Sequence, residues 1–135
     1  MSAQLAPGRL IWADLPDTAG RNPKRRPTLV LQHQVRATGE VEVVGVAVTG
    51  TLPQPLPDDY VALPWHRNRR VRTLLDKPAA AVCSWIVHLT FASEGDLAMG
   101  GFIDGQLLER IVAKVNALSA PPGGAGGPDA TAPAG

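Results

Sequence analysis

Three consecutive cations, Lys24, Arg25 and Arg26, close a polar segment and lead directly into the apolar run Thr28 to Leu31. An arginine fixed against a strand presents a planar, permanently charged fork whose donors match the oxygens of a phosphate, so this step points to anion recognition. A second cationic segment, Trp65 to Arg72 (WHRNRRVR), holds Arg67, Arg69, Arg70 and Arg72. Together the two segments carry seven of the thirteen Lys and Arg residues. The formal charge of +1, with 13 basic against 12 acidic side chains, would not suggest nucleic acid, but the clustering does. Trp65 beside the arginines adds a stacking surface to phosphate-neutralising charge, the combination used on single strands. The competing reading is a solvated edge protected by charge against aggregation. His66, within the same cluster, is of the residue type that exchanges protons near neutral pH and is the candidate auxiliary acid or base. His33 and His88 read as strand side chains. Other chemistries lack residues: no paired His/Cys spacing suits zinc, no Gly-x-x-x-x-Gly-Lys loop is present, and Gly100 and Gly101 lack the neighbours of a dinucleotide fingerprint.

The elements that must position these groups are mostly strands. Arg9 to Leu15 alternates, Thr28 to Leu31 is compact and β-rich, and the valine-dense Val41 to Thr49 ends at Gly50. Pro16 to Arg26, with its Pro and Gly breaks, predicts a loop, as does the proline-rich stretch from Gly50 to Pro57. Tyr60 to Trp65 predicts a short strand, and His66 to Arg72 a loop or an exposed strand. Val82 to Leu89 shows little polar alternation and predicts a strand buried on both faces. Ser93 to Asp96 predicts a turn. Asp104 predicts an N-cap for a helix over Gly105 to Leu118, where Leu107, Leu108, Ile111, Val112, Val115 and Leu118 recur at helical spacing. Residues 119–135 are almost only Pro, Gly, Ala, Ser, Thr and Asp, a composition that predicts a disordered tail.

At 135 residues, with 14 Gly, 13 Pro and 4% aromatics, the chain predicts one turn-rich, mainly β domain over residues 1–118. The single cysteine, Cys83, lies in an apolar run and reads as a buried small hydrophobe. With no charged leader before an apolar core and no eighteen-residue apolar run, a cytoplasmic location is expected.

The order of motifs resembles a known family. The segment GRLIWADLPDTAGRNPKRRPTLVLQ looks like the opening of the PemK/MazF toxins, endoribonucleases of toxin-antitoxin modules that cleave RNA without a metal. VEVVGVAVTGTLP is similar to the family strand that ends in a threonine, here Thr49. LDKPAAAVCSWIVHLT and GGFIDGQLLERIVAKVNAL are similar to the family's closing strand, glycine turn and final helix. The resemblance spans Pro7 to Leu118 and implies an SH3-like, curved antiparallel barrel with a C-terminal helix. It further implies a homodimer, single-stranded RNA and a cognate antitoxin as partners, and no cofactor. Carried onto matching positions, it makes Arg26 the stabiliser of the charged transition state and Thr49 the donor that positions the phosphate; His66 is added from the cluster reading alone, as auxiliary catalyst. Lys24, Arg25, Trp65, Arg67, Arg69 and Arg70 would then contact RNA. The chain departs from the family pattern at Arg21, Asn22 and Pro23, where an acidic residue is common. Ala79 stands for a serine and Trp85 for a glutamine. A non-catalytic module of the same fold, binding nucleic acid or a protein as CcdB toxins do, is the alternative.

Overall fold

The computed structural model describes residues 5–15 and 24–119. Six strands form one antiparallel sheet: β1 (Arg9–Leu15), β2 (Lys24–Val35), β3 (Val41–Thr49), β4 (Tyr60–Leu63), β5 (Ala79–Phe91) and β6 (Ala98–Phe102). Their order across the sheet is β4-β5-β3-β2-β1-β6, and one helix, α1 (Gly105–Ser119), follows. The sheet is a curled half-barrel. Register shifts between Arg9 and Ile11, Val30 and Gln32, and Val46 and Val48 interrupt three ladders, and such bulges increase local twist and bend a strand. Gly45 stands beside one of them. A Cβ there would lie 2.1 Å from the Leu29 carbonyl oxygen, so only glycine lets the two backbones meet.

The two sheet faces carry different cores. Leu10, Leu29, Val46, Val48, Ala81 and Cys83 line one, with Ile103 and Ile111 from the helical end packed on them. Ile11, Val30, Val41 and Val43 line the other, continued by Ala13, Leu15, Ala47 and Val87. The helix covers the first face through Ile111, which is fully buried, with Leu107, Leu108 and Val115 beside it. Asp104 caps it as expected: its Oδ1 accepts the Leu107 N–H at 2.8 Å. Leu118 leaves the apolar stripe and is exposed. The helix runs one residue past its expected end, to Ser119, and the rest of the expected tail lies outside the described residues.

Burial pushes the Cys83 thiol above its ordinary range, with Asp59 acting in the same direction and Lys114 opposing. That is the inert, core-filling cysteine the sequence implies.

Several elements differ from the sequence expectation. Lys24, Arg25 and Arg26 belong to β2, paired with Leu15, Asp14 and Ala13, so the expected loop is not irregular over its last three residues; residues 16–23 lie outside the described set. Gly100 and Gly101 are strand residues of β6 instead of a turn. Only the first half of β5 is buried on both faces, and from Ser84 onward exposed and covered positions mix. β4 stops at Leu63, because Pro64 has no N–H for the ladder.

Residues 64–78, between β4 and β5, form a loop that reaches the far edge of the sheet. The Thr73 hydroxyl donates to the Pro64 carbonyl at 2.7 Å and accepts the Leu75 N–H at 3.2 Å. His66 N–H donates to the Leu75 carbonyl at 2.9 Å, and Phe102 N–H to the Arg72 carbonyl at 2.9 Å. Gly101 makes that last approach possible, since a Cβ would stand 2.0 Å from the Arg72 carbonyl oxygen. The loop therefore ties β6 to the β4 side and fixes the arginines it carries.

Candidate functional site

Arg26 is the third residue of β2, opposite Ala13 of β1. Strand alternation puts it on the face of Thr28, Ala13 and Ala47. There its guanidinium carbon lies 5.5 Å from the centre of the Trp85 ring. This distance is within cation–π range, and the ring holds one side of the guanidinium without consuming an N–H. Arg26 Nε is buried and has no hydrogen-bond partner among the described residues. A buried, unpartnered donor on a charged group costs at least 1–3 kcal/mol, and an oxyanion placed there would remove that cost.

The β2–β3 register pairs Thr28 with Ala47. Carried two residues further, it sets Arg26 opposite Thr49, which ends β3. Thr49 is 6% exposed, and its hydroxyl oxygen accepts the Thr51 N–H at 3.1 Å. That bond uses one lone pair and leaves the hydroxyl proton free to be donated elsewhere. Thr49 also borders a pocket of about 320 Å³ at the end of the first core, lined in addition by Trp12, Pro27, Gly50, Arg69, Leu75, Asp76 and Lys77.

Of the residues singled out in the sequence, Arg26, Thr49 and Arg69 thus come to this end of the sheet. Arg69 forms a salt bridge with Asp76 at 3.2 Å on the pocket wall. Lys24 and Arg25 are exposed at the start of β2. Trp65, Arg67 and Arg70 are exposed on the loop. His66 is exposed and does not line the pocket; its Nδ1 accepts the Asn68 N–H at 3.1 Å, which shapes the turn. Arg72 is turned to the opposite edge, where it and Arg9 flank Phe102 at 6.0 and 5.2 Å.

Sequence reasoning missed Trp12, Asp76, Lys77 and Trp85 as neighbours of the site. The sequence signal for Trp12 was a large aromatic between Ile11 and Ala13 in a strand run; the structure buries both neighbours and leaves Trp12 37% exposed. Trp85 carried none beyond its departure from the family pattern. It packs with Ala13 and Ala47 on the Arg26 face, just where the β3–β5 register shifts between Val46–Ile86 and Val48–Ala81.

No protein-family model matches the chain, and no curated protein sequence does. Solved structures do. A MazE–MazF complex from Deinococcus radiodurans superposes with a TM-score of 0.56 at 20% identity, over 87% of this chain and 96% of that one. MazF alone from the same organism gives 0.55 at 20%, over 87% and 97%. The Mycobacterium tuberculosis toxin MazF-mt6 gives 0.53 at 18%, over 81% and 94%. A mostly antiparallel, curled sheet closed by one C-terminal helix, matched over nearly the full length of these toxins, is the PemK/MazF fold, and this chain has it.

Proposed function

We propose that the chain is the toxin of a type II toxin-antitoxin pair, an endoribonuclease that cuts single-stranded RNA without a metal. The observation that carries the reading is Arg26: a half-buried guanidinium held by an aromatic ring, with a buried N–H that no described residue satisfies. Similarity of fold to MazF toxins supports it.

RNA contains its own nucleophile. In the proposed step the 2′-hydroxyl oxygen bonds to the adjacent phosphorus and loses its proton, while the bond from phosphorus to the 5′-oxygen breaks and that oxygen gains a proton. The products are a 2′,3′-cyclic phosphate and a 5′-hydroxyl. Negative charge grows on the non-bridging oxygens as the fifth bond forms. Arg26, preorganised and partly shielded from water, stabilises that charge, a contribution of about 3 kcal/mol for one well-placed donor. Thr49 donates its hydroxyl to the same phosphate, its orientation set by the Thr51 N–H. Lys24 and Arg25, exposed beside Arg26, and Arg67 and Arg70 on the loop supply neutralising charge along the strand, with Trp65 as a stacking surface. His66, exposed on the loop outside the pocket, is the candidate for proton transfer.

The proposed assembly is a homodimer in the cytoplasm, neutralised by a cognate antitoxin. Two of the similar solved structures are MazE–MazF complexes. No helix among the described residues is long and apolar enough to cross a membrane.

The test is to incubate purified protein with a long single-stranded RNA and determine the chemistry of new ends. Fragments with 5′-hydroxyl and 2′,3′-cyclic phosphate ends are expected. Salt-sensitive binding with uncut RNA would instead favour the non-catalytic module.

A further inference from the structure

We propose that the pocket beside Thr49 is a nucleobase site that selects guanine, with Trp12 as its stacking wall and the Arg69–Asp76 pair as its reading edge. The inference rests on the reading that single-stranded RNA is the substrate. Its grounds are the shape, lining and conformation of the pocket.

The pocket, about 320 Å³, is large enough to take a nucleobase. Val48, Leu75 and Ala79, all under 9% exposed, give it an apolar floor. Trp12 and Pro27, paired across β1 and β2, form one side. The indole of Trp12 is large, apolar and 37% exposed in a strand whose neighbours Ile11 and Ala13 are buried. Space for it is made by Gly100: a Cβ there would meet Trp12 Nε1 at 3.3 Å. An exposed indole on a pocket wall offers a flat partner for any base.

Selection comes from the opposite wall. Asp76 presents a carboxylate and Arg69 a guanidinium, joined at 3.2 Å. Guanine alone among the four bases carries two adjacent donors, N1–H and N2–H₂, next to an acceptor, O6. A carboxylate accepts the two donors and a neighbouring guanidinium donates to the acceptor. The pair is solvent-facing, and what the fold fixes is the backbone that carries Arg69. Arg69 sits at φ 58°, in the left-handed region that costs an arginine energy, and its N–H donates to the His66 carbonyl at 2.7 Å. Observed backbone strain of this kind is concentrated at functional sites. Thr49 joins the pocket to the proposed chemistry. It borders the cavity, and alternation along β3 puts it on the Arg26 face. A phosphate at Arg26 and its neighbouring base in the pocket would share that residue across the end of the sheet.

The test uses uridine oligonucleotides made uncleavable by 2′-fluoro substitution, each with a single guanosine, adenosine or cytidine, or none. Affinities for the full chain are read by fluorescence anisotropy. The guanosine oligonucleotide should bind at least about tenfold more tightly than the others, as a good bidentate base contact implies. Asp76→Asn, nearly isosteric, should abolish that preference, so that the guanosine, adenosine and cytidine oligonucleotides bind alike. Trp12→Leu should weaken all four while keeping their order. Equal affinities in the wild type, or a guanosine preference that survives in Asp76→Asn, would overturn the inference while leaving the RNA reading intact. Failure of every oligonucleotide to bind would overturn both.

Discussion

Replacing Trp85 with leucine removes the ring from Arg26 but keeps an apolar side chain beside Ala13, Leu15, Ala47 and Val87. The guanidinium lies 5.5 Å from the ring centre and is only partly exposed, between the limiting cases for cation–π pairs. Those run from about 0.5–1 kcal/mol in water to about 2 kcal/mol when desolvated, so about 1 kcal/mol is expected here. The single substitution cannot isolate this amount, because a half-buried tryptophan also loses packing worth more than the pair itself. A double-mutant cycle with Arg26→Met does isolate it. Four proteins, unfolded in urea and followed by circular dichroism, should give a coupling of about 1 kcal/mol between the two positions. In 1 M salt the coupling should persist, since a short-range, partly buried contact is weakly screened. A coupling no larger than the roughly 0.3–0.5 kcal/mol scatter of independent sites would refute the claim that Trp85 holds Arg26.

Gly101→Ala should destabilise the protein by about 2–4 kcal/mol in denaturant unfolding. The new Cβ would meet the Arg72 carbonyl oxygen at 2.0 Å and push residues 64–78 off β6, breaking the Phe102–Arg72 hydrogen bond. Asp104→Ala should cost about 1 kcal/mol by removing the helix cap, measured in the same way. Because burial raises the Cys83 thiol, the folded state holds its proton after the unfolded state has released it. Stability should therefore fall as pH rises through and above the ordinary thiol range, and a Cys83→Ala variant should lack that additional slope.

Most of the architecture was legible because local signals agreed. Arg9–Leu15 alternates from Ile11 onward, five of the nine residues of Val41–Thr49 are valine, and Asp104 precedes an apolar stripe at helical spacing. Arg26 and Thr49 were legible as residues at the ends of strand runs, and β2 and β3 that carry them are neighbours in the sheet. What stayed hidden depends on backbone meetings between distant residues. Gly100 and Gly101 look like a turn, yet they are glycines because an indole and a neighbouring loop press on β6. The pocket joins Trp12 to Asp76 and Lys77, positions brought together only when residues 64–78 fold back across the sheet edge. Trp85 meets Arg26 only once β5 is laid against β3 and β2 against β3, a cross-strand neighbourhood that no periodicity within β5 announces. The cationic cluster Arg67 to Arg72 was visible as a charge run. Its division, with Arg69 on the pocket and Arg72 against Phe102, follows from the turn at His66 and the left-handed Arg69.

Cleavage of a long single-stranded RNA in EDTA, wild type beside a folded Arg26→Ala variant, tests the central claim most directly. Discrete cuts by the wild type, slowed about a hundredfold or more in the variant, are predicted from the loss of one preorganised donor; cleavage at an unchanged rate in Arg26→Ala would contradict the account.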